Sequence, residues 1–148
     1  MKLKVACALV LSMALGVLGS AGTLFAMTEY FVSDSTGNDA WDGLSDVHVS
    51  GDRGPKKTIQ AAVDLADGTG TLITVLEGVY QAGDDLSGLK TTVSGDTVQT
   101  NLITITQPNV ILKSRSGKAK THIVGRPGSG TAGKSPDSIR CIEIADRY

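Results

Sequence analysis

Hydrophobic and polar positions alternate in short runs along most of this chain, and one segment breaks to a longer period. Glu29-Tyr-Phe-Val32 is a short β-prone run, followed by a turn cluster from Asp34 to Gly43. There Asp, Ser, Gly and Asn close local hydrogen bonds and tolerate left-handed backbone. Residues 46–57 are polar and Gly-rich, with Pro55 interrupting regular structure. Thr58 then suits a helix cap, and Ile59, Ala62, Val63 and Ala66 fall at i, i+3, i+4 and i+7, one apolar helical face. Asp67-Gly68 and Gly70 end it, so the spacing predicts a short helix over about 58–67. About two to three turns need tertiary packing to persist.

Beyond residue 70 the two-residue period returns. Leu72–Leu76 is strongly apolar, and Leu102–Thr106 alternates with Ile103 and Ile105 on one face. Gln107-Pro108-Asn109 turns the chain into Val110–Leu112; Thr121–Val124 and Ile139–Ile144 follow. Residues 81–100, rich in Gly, Asp, Ser and Thr, read as an inserted loop. Short β-branched strands with no helix between them exclude a doubly wound sheet and predict an all-β fold, a sandwich or a solenoid. Asn-Gly and Asp-Gly hairpin signals, expected of a sandwich, are missing between adjacent strands.

The N-terminus changes the picture of location. Lys2 and Lys4 precede the apolar run Val5–Leu18, then come small residues. This is the layout of a signal peptide over residues 1–26, cut after Ala21 or Ala26, with an uncleaved anchor helix as the alternative. Cleavage leaves one domain, residues 27–148, secreted or at the cell surface, with no membrane span. Cys7 lies inside the apolar run, so the mature part holds Cys141 alone. A lone cysteine excludes an internal disulfide framework and reads as a buried small apolar residue. Lys and Arg total 14 against 15 Asp and Glu, which gives no nucleic-acid footprint. With 18 Gly and 4% aromatics, the composition suits many turns better than a large aromatic core.

Five runs carry a resemblance: Tyr30-Phe-Val-Ser, Gly37-Asn-Asp-Ala-Trp-Asp-Gly-Leu-Ser, Lys57-Thr-Ile-Gln-Ala-Ala-Val-Asp, Thr74-Val-Leu-Glu-Gly-Val-Tyr, and Ile103-Thr-Ile-Thr-Gln-Pro-Asn-Val-Ile-Leu-Lys-Ser with Thr121-His-Ile-Val-Gly. Together they resemble the N-terminal region of secreted right-handed parallel β-helix proteins of the pectate-lyase-like superfamily. The resemblance covers about residues 28–148. It implies a helix capping the open end of a coil and strands forming the first coils. Such proteins include polysaccharide lyases, glycoside hydrolases, pectin esterases and surface proteins without known catalysis, so fold does not assign chemistry. The helix and Gly-Val-Tyr run also look like the start of pectin methylesterases, which usually carry a Glu two residues after the Tyr; here Gln81-Ala82-Gly83 follows Tyr80.

Several groups bear on chemistry. Gly128–Ser135 matches the phosphate-loop pattern letter for letter and includes G-x-G-x-x-G. A nucleotide site needs a helix starting at the Lys-Ser, and Pro136 with the strand-like run from Ile139 leaves no room for one, so the loop is read as a Gly/Ser connection and no nucleotide is expected. Asp34, Asn38, Asp39 and Asp42 are the candidate Ca²⁺ ligands, although their spacing misses the EF-hand template; a turn closed by Asx hydrogen bonds is the leading reading of the cluster and a structural Ca²⁺ the lesser one. Lys113, Arg115, Lys118, Lys120, His122 and Arg126 form a basic stretch: solvated turns, or a rim attracting an acidic polysaccharide. Asp84-Asp85 are adjacent on a loop and lack the facing geometry of a glycosidase pair. His48 and His122 are isolated, without metal-ligand spacing. Trp41 is expected to anchor its loop, with sugar stacking as the lesser reading.

These observations predict the N-terminal part of a parallel β-helix, truncated after residue 148, where Ile142 and Ile144 would be exposed. Two functional classes stay open. One is a non-catalytic, carbohydrate-facing surface or adhesion scaffold. The other is the N-terminal part of a polysaccharide lyase or glycoside hydrolase acting on extracellular acidic or plant-type glycans. No catalytic residue and no cofactor is assigned.

Overall fold

A computed structural model describes residues 26–83, 89–94, 97–130 and 137–145. The expected leader and its cleavage after Ala21 lie outside the described residues, as do Asp84, Asp85, most of the phosphate-loop match (131–136) and the last three residues. The described chain is mostly strand with one short helix, so the fold is all-β.

Eight strands and the helix follow in the order β1 (Thr28–Val32), α1 (Ile59–Val63), β2 (Thr71–Val75), β3 (Gly78–Gln81), β4 (Lys90–Ser94), β5 (Thr97–Ile105), β6 (Val110–Ser114), β7 (Thr121–Val124) and β8 (Ile139–Ile144). They make three small sheets, ordered β1-β2-β6, β3-β7 and β4-β5-β8. Each pairing between these strands is parallel except β4–β5, and isolated antiparallel bridges join Ser50 to Arg53 and Arg126 to Ile139 of β8. Thr71 lies beside Val110 and Thr100 beside Ile139, each 39 residues on. Thr28 lies beside Thr71 and Gly78 beside Thr121, each 43 on. The chain therefore visits the three sheets in one order twice: β2, β3, β5, then β6, β7, β8.

Parallel register stacks like side chains. Tyr30, Ile73 and Leu112 are neighbours across one sheet, Tyr80 and Ile123 across the next, Ile103 and Ile142 across the third. Val32, Ile73 and Ile103 are fully buried, and α1 adds Ile59, Ala62 and Val63 to the same core. Such burial stabilises by about 1.5–3 kcal/mol per large aliphatic side chain.

The helical face forms as its spacing predicts, but the α-helix is shorter than 58–67. Thr58 caps it, accepting the Ala61 N–H at 3.2 Å. After Val63 the bonds tighten to three-residue spacing, Leu65 to Ala62 and Ala66 to Val63. Asn109 adopts left-handed backbone (φ 59°), which Asn tolerates. Its Nδ2 donates to Gly68 O (2.9 Å) and its carbonyl accepts from Thr71 N (2.9 Å), tying this turn to the one after α1.

Two readings are corrected. Residues 90–94 and 97–100 are not loop: β4 and β5 form an antiparallel hairpin with Ser94 opposite Thr97. Its strands are Thr- and Val-rich, and β-branched residues suit a pleated surface. Cys141 is exposed, not buried, because it lies on β8, the outermost strand of its sheet. Its Sγ accepts from Gly125 N at 3.1 Å and lies 3.6 Å from Ile123 O. Ile142 (39%) and Ile144 (75%) are exposed as expected.

Candidate functional site

The loop between β1 and α1 builds one wall of a cleft of about 520 Å³. Asp34 comes from the loop, Lys57 and Thr58 from the start of α1, Val79 and Gln81 from β3, and Leu102 from β5. Charged, amide and aliphatic groups thus share one concave surface. Lining the cleft, Tyr80 is 5% exposed and pins the loop to the sheets. Its hydroxyl lies 3.1 Å from both Val32 O and Leu76 O and accepts from Asp34 N at 3.3 Å. Burial pushes the phenol pKa above 10.0, opposed by the Asp34 N–H and reinforced by the Asp34 charge.

Of the four candidate calcium ligands, Asp34 and Asp39 both line the cleft, whereas Asn38 and Asp42 serve turns of the loop. Asp39 is tied into the start of the helix: Oδ1 accepts from Lys57 N and Thr58 N, both at 2.8 Å, and Oδ2 from the Thr58 hydroxyl at 2.9 Å. The Asp42 Oδ1 accepts from Leu44 N (2.9 Å) and Gly54 N (3.3 Å). The Leu44 N–H contributes most to holding that carboxyl below its ordinary pKa. Asn38 Oδ1 accepts from Ala40 N at 2.9 Å. Asp34 stands on the cleft wall. Three of the four therefore close Asx-type turns or brace the helix, and among the described residues no group of three or more His, Cys, Asp or Glu converges.

Trp41 anchors its loop. His48 stacks on it at 4.2 Å between ring centroids and 13° between planes, and Gly54 lies so close that an added Cβ would sit 2.5 Å from Trp41 Cε3. Of the basic stretch, Arg115 pairs with Asp46 (2.6 Å) and Lys120 with Glu77 (3.3 Å); Lys113, Lys118 and His122 project into solvent. In the described part of the phosphate-loop match, Ser129 N donates to both Asp137 carboxylate oxygens (3.1 and 3.0 Å), which lowers the Asp137 pKa.

Sequence reasoning missed a polar cluster on the third sheet. Buried Asn101 donates Nδ2 to Thr92 Oγ1 (3.1 Å) and to Glu143 Oε2, which also accepts from Thr92 Oγ1 at 2.6 Å. Asn101 Oδ1 has no hydrogen-bond partner among the described residues. The signal was hidden because β4 was read as loop and Glu143 lies 42 residues from Asn101.

The cleft sets hydrogen-bonding groups beside aliphatic surface. Among the described residues, no helix is long and apolar enough to cross a membrane. Compared with protein families, with curated proteins and with solved structures, the chain finds no match.

Proposed function

We propose that this chain is the capped beginning of a parallel β-helix, a secreted or cell-surface scaffold that faces carbohydrate without catalysing its breakdown. The observation that carries the reading is the repeated visit to three sheets at offsets of 39 and 43 residues. A chain that returns to the same sheets in parallel register builds a solenoid by adding coils. The leader-like residues 1–26 support export. Carbohydrate is the ligand class that suits the cleft, because Asp34, Lys57 and Gln81 offer acceptors and donors for hydroxyl groups while Val79 and Leu102 offer cover for C–H faces.

The test is titration of the purified protein against polygalacturonate, xylan and cello-oligosaccharides. The reading expects binding to at least one of them, with no new reducing ends and no unsaturated product. Asp34→Ala with Gln81→Ala should weaken that binding by about tenfold, the effect of roughly 1.4 kcal/mol in hydrogen bonds. Failure to bind all three would sink the carbohydrate reading, and product release would replace the scaffold with the lyase or hydrolase reading.

A further inference from the structure

We propose that the cleft takes neutral glycans and rejects uronic ones, with Asp34 as the residue that makes the choice; this rests on the carbohydrate reading and adds to it the class of sugar. Asp34 is held on the cleft wall from two sides. Its N–H donates to the hydroxyl of buried Tyr80 at 3.3 Å. Its Cβ lies over Gly78 at the start of β3, where an added Cβ would sit 3.3 Å from it. The Asp34 carboxylate itself accepts no hydrogen bond and forms no ion pair among the described residues. Burial raises the pKa of the Tyr80 phenol and the Asp34 charge raises it further, so that charge is felt inside the cleft.

The cleft holds no surplus of positive charge for a uronate. Among the described lining residues, the carboxylates of Asp34 and Asp39 stand with a single lysine, Lys57. Lys56 is buried outside the lining, its Nζ donating to the Asp39 carbonyl at 2.9 Å, and counting it only balances the charges. None of the basic stretch from Lys113 to Arg126 lines the cleft, and Arg115 and Lys120 are already paired with Asp46 and Glu77. A free carboxylate accepts several hydroxyl donors from a neutral sugar, and hydrogen bonds to a charged group are the stronger kind. A uronate in the same place sets a second carboxylate against Asp34, and like charges facing each other across an interface repel. Gln81 adds a neutral amide, and Val79 and Leu102 add apolar cover, none of which favours an acidic sugar.

Competition binding to the purified protein tests it and confines the readout to the glycan site. A fluorescent xylo- or cello-oligosaccharide, whichever binds, is displaced at neutral pH by unlabelled chains of equal length, one neutral and one of galacturonate. At about 0.1 M salt the neutral chain should displace the label at a concentration about tenfold lower than the galacturonate chain. The gap should narrow at about 1 M salt, where the Debye length falls from about 10 to 3 Å, because Asp34 is exposed. Asp34→Asn keeps the shape and removes the charge; with unchanged circular dichroism it should narrow the gap roughly threefold at low salt. Equal or better displacement by galacturonate overturns the proposal, and so does a protein that binds polygalacturonate alone; both leave the carbohydrate reading standing. A gap that neither salt nor Asp34→Asn alters assigns selection to shape and removes Asp34 from the role. Binding to none of these glycans sinks the carbohydrate reading itself, and the proposal with it.

Discussion

The side chain of Gln60 takes the place of a β-strand beside Thr104. Its Oε1 accepts the Thr104 N–H at 2.7 Å and its Nε2 lies 3.4 Å from the Thr104 carbonyl, with Asp64 Oδ1 holding the same amide at 2.8 Å. Thr104 is 6% exposed, so without Gln60 its backbone would face the core unpaired. Gln60→Leu keeps the bulk but removes both bonds. It should cost about 1–3 kcal/mol in urea denaturation, and Gln60→Glu, which retains the acceptor alone, should fall between.

Tyr80 makes a comparable link between the loop and the sheets. Tyr80→Phe loses the hydroxyl contacts to Val32 O, Leu76 O and Asp34 N and should destabilise by about 1–2 kcal/mol. The phenol pKa is raised in the folded state, so its contribution is complete below pH 10 and is lost as pH rises above 10 toward the folded value. The melting temperature of the native protein should therefore fall more steeply above pH 10 than that of Tyr80→Phe. Equal slopes would show that the buried phenol does not control this limb.

Asp39 braces the start of α1 through three hydrogen bonds. Asp39→Ala should lower stability by about 1–2 kcal/mol, in the range of lost helix caps. Because its oxygens already serve N–H and O–H donors, millimolar Ca²⁺ should leave the thermal midpoint of the native protein unchanged. A rise of several degrees on adding Ca²⁺ would restore the cluster of Asp34, Asn38, Asp39 and Asp42 as a metal site.

Gly54 leaves no room for a side chain against Trp41. Gly54→Ala should displace the indole, the chain's single tryptophan, and shift its fluorescence toward that of a solvated ring. Gly51→Ala, where an added Cβ meets nothing within 4 Å, is the comparison for the same loop. Its φ of 55° still imposes strain, so it should lower stability while leaving the Trp41 emission maximum in place.

Local pattern alone determined the elements whose side chains alternate or recur strongly. Ile59, Ala62, Val63 and Ala66 declared a helical face, and all four are buried. Ile103, Val110–Leu112 and Ile139–Ile144 declared strands, because a half-buried strand must alternate. The hairpin of β4 and β5 escaped that reading: its Thr and Ser residues resemble loop composition, although Gly95-Asp96 between two Thr/Val runs is a turn signal. Tertiary structure decided what depends on contacts far apart in the chain. It placed Gln60 on Thr104, Tyr80 under the loop and Glu143 against Asn101, at separations of 44, 46 and 42 residues. Sequence period reports which face of an element is buried; only the register between elements says which polar groups meet there.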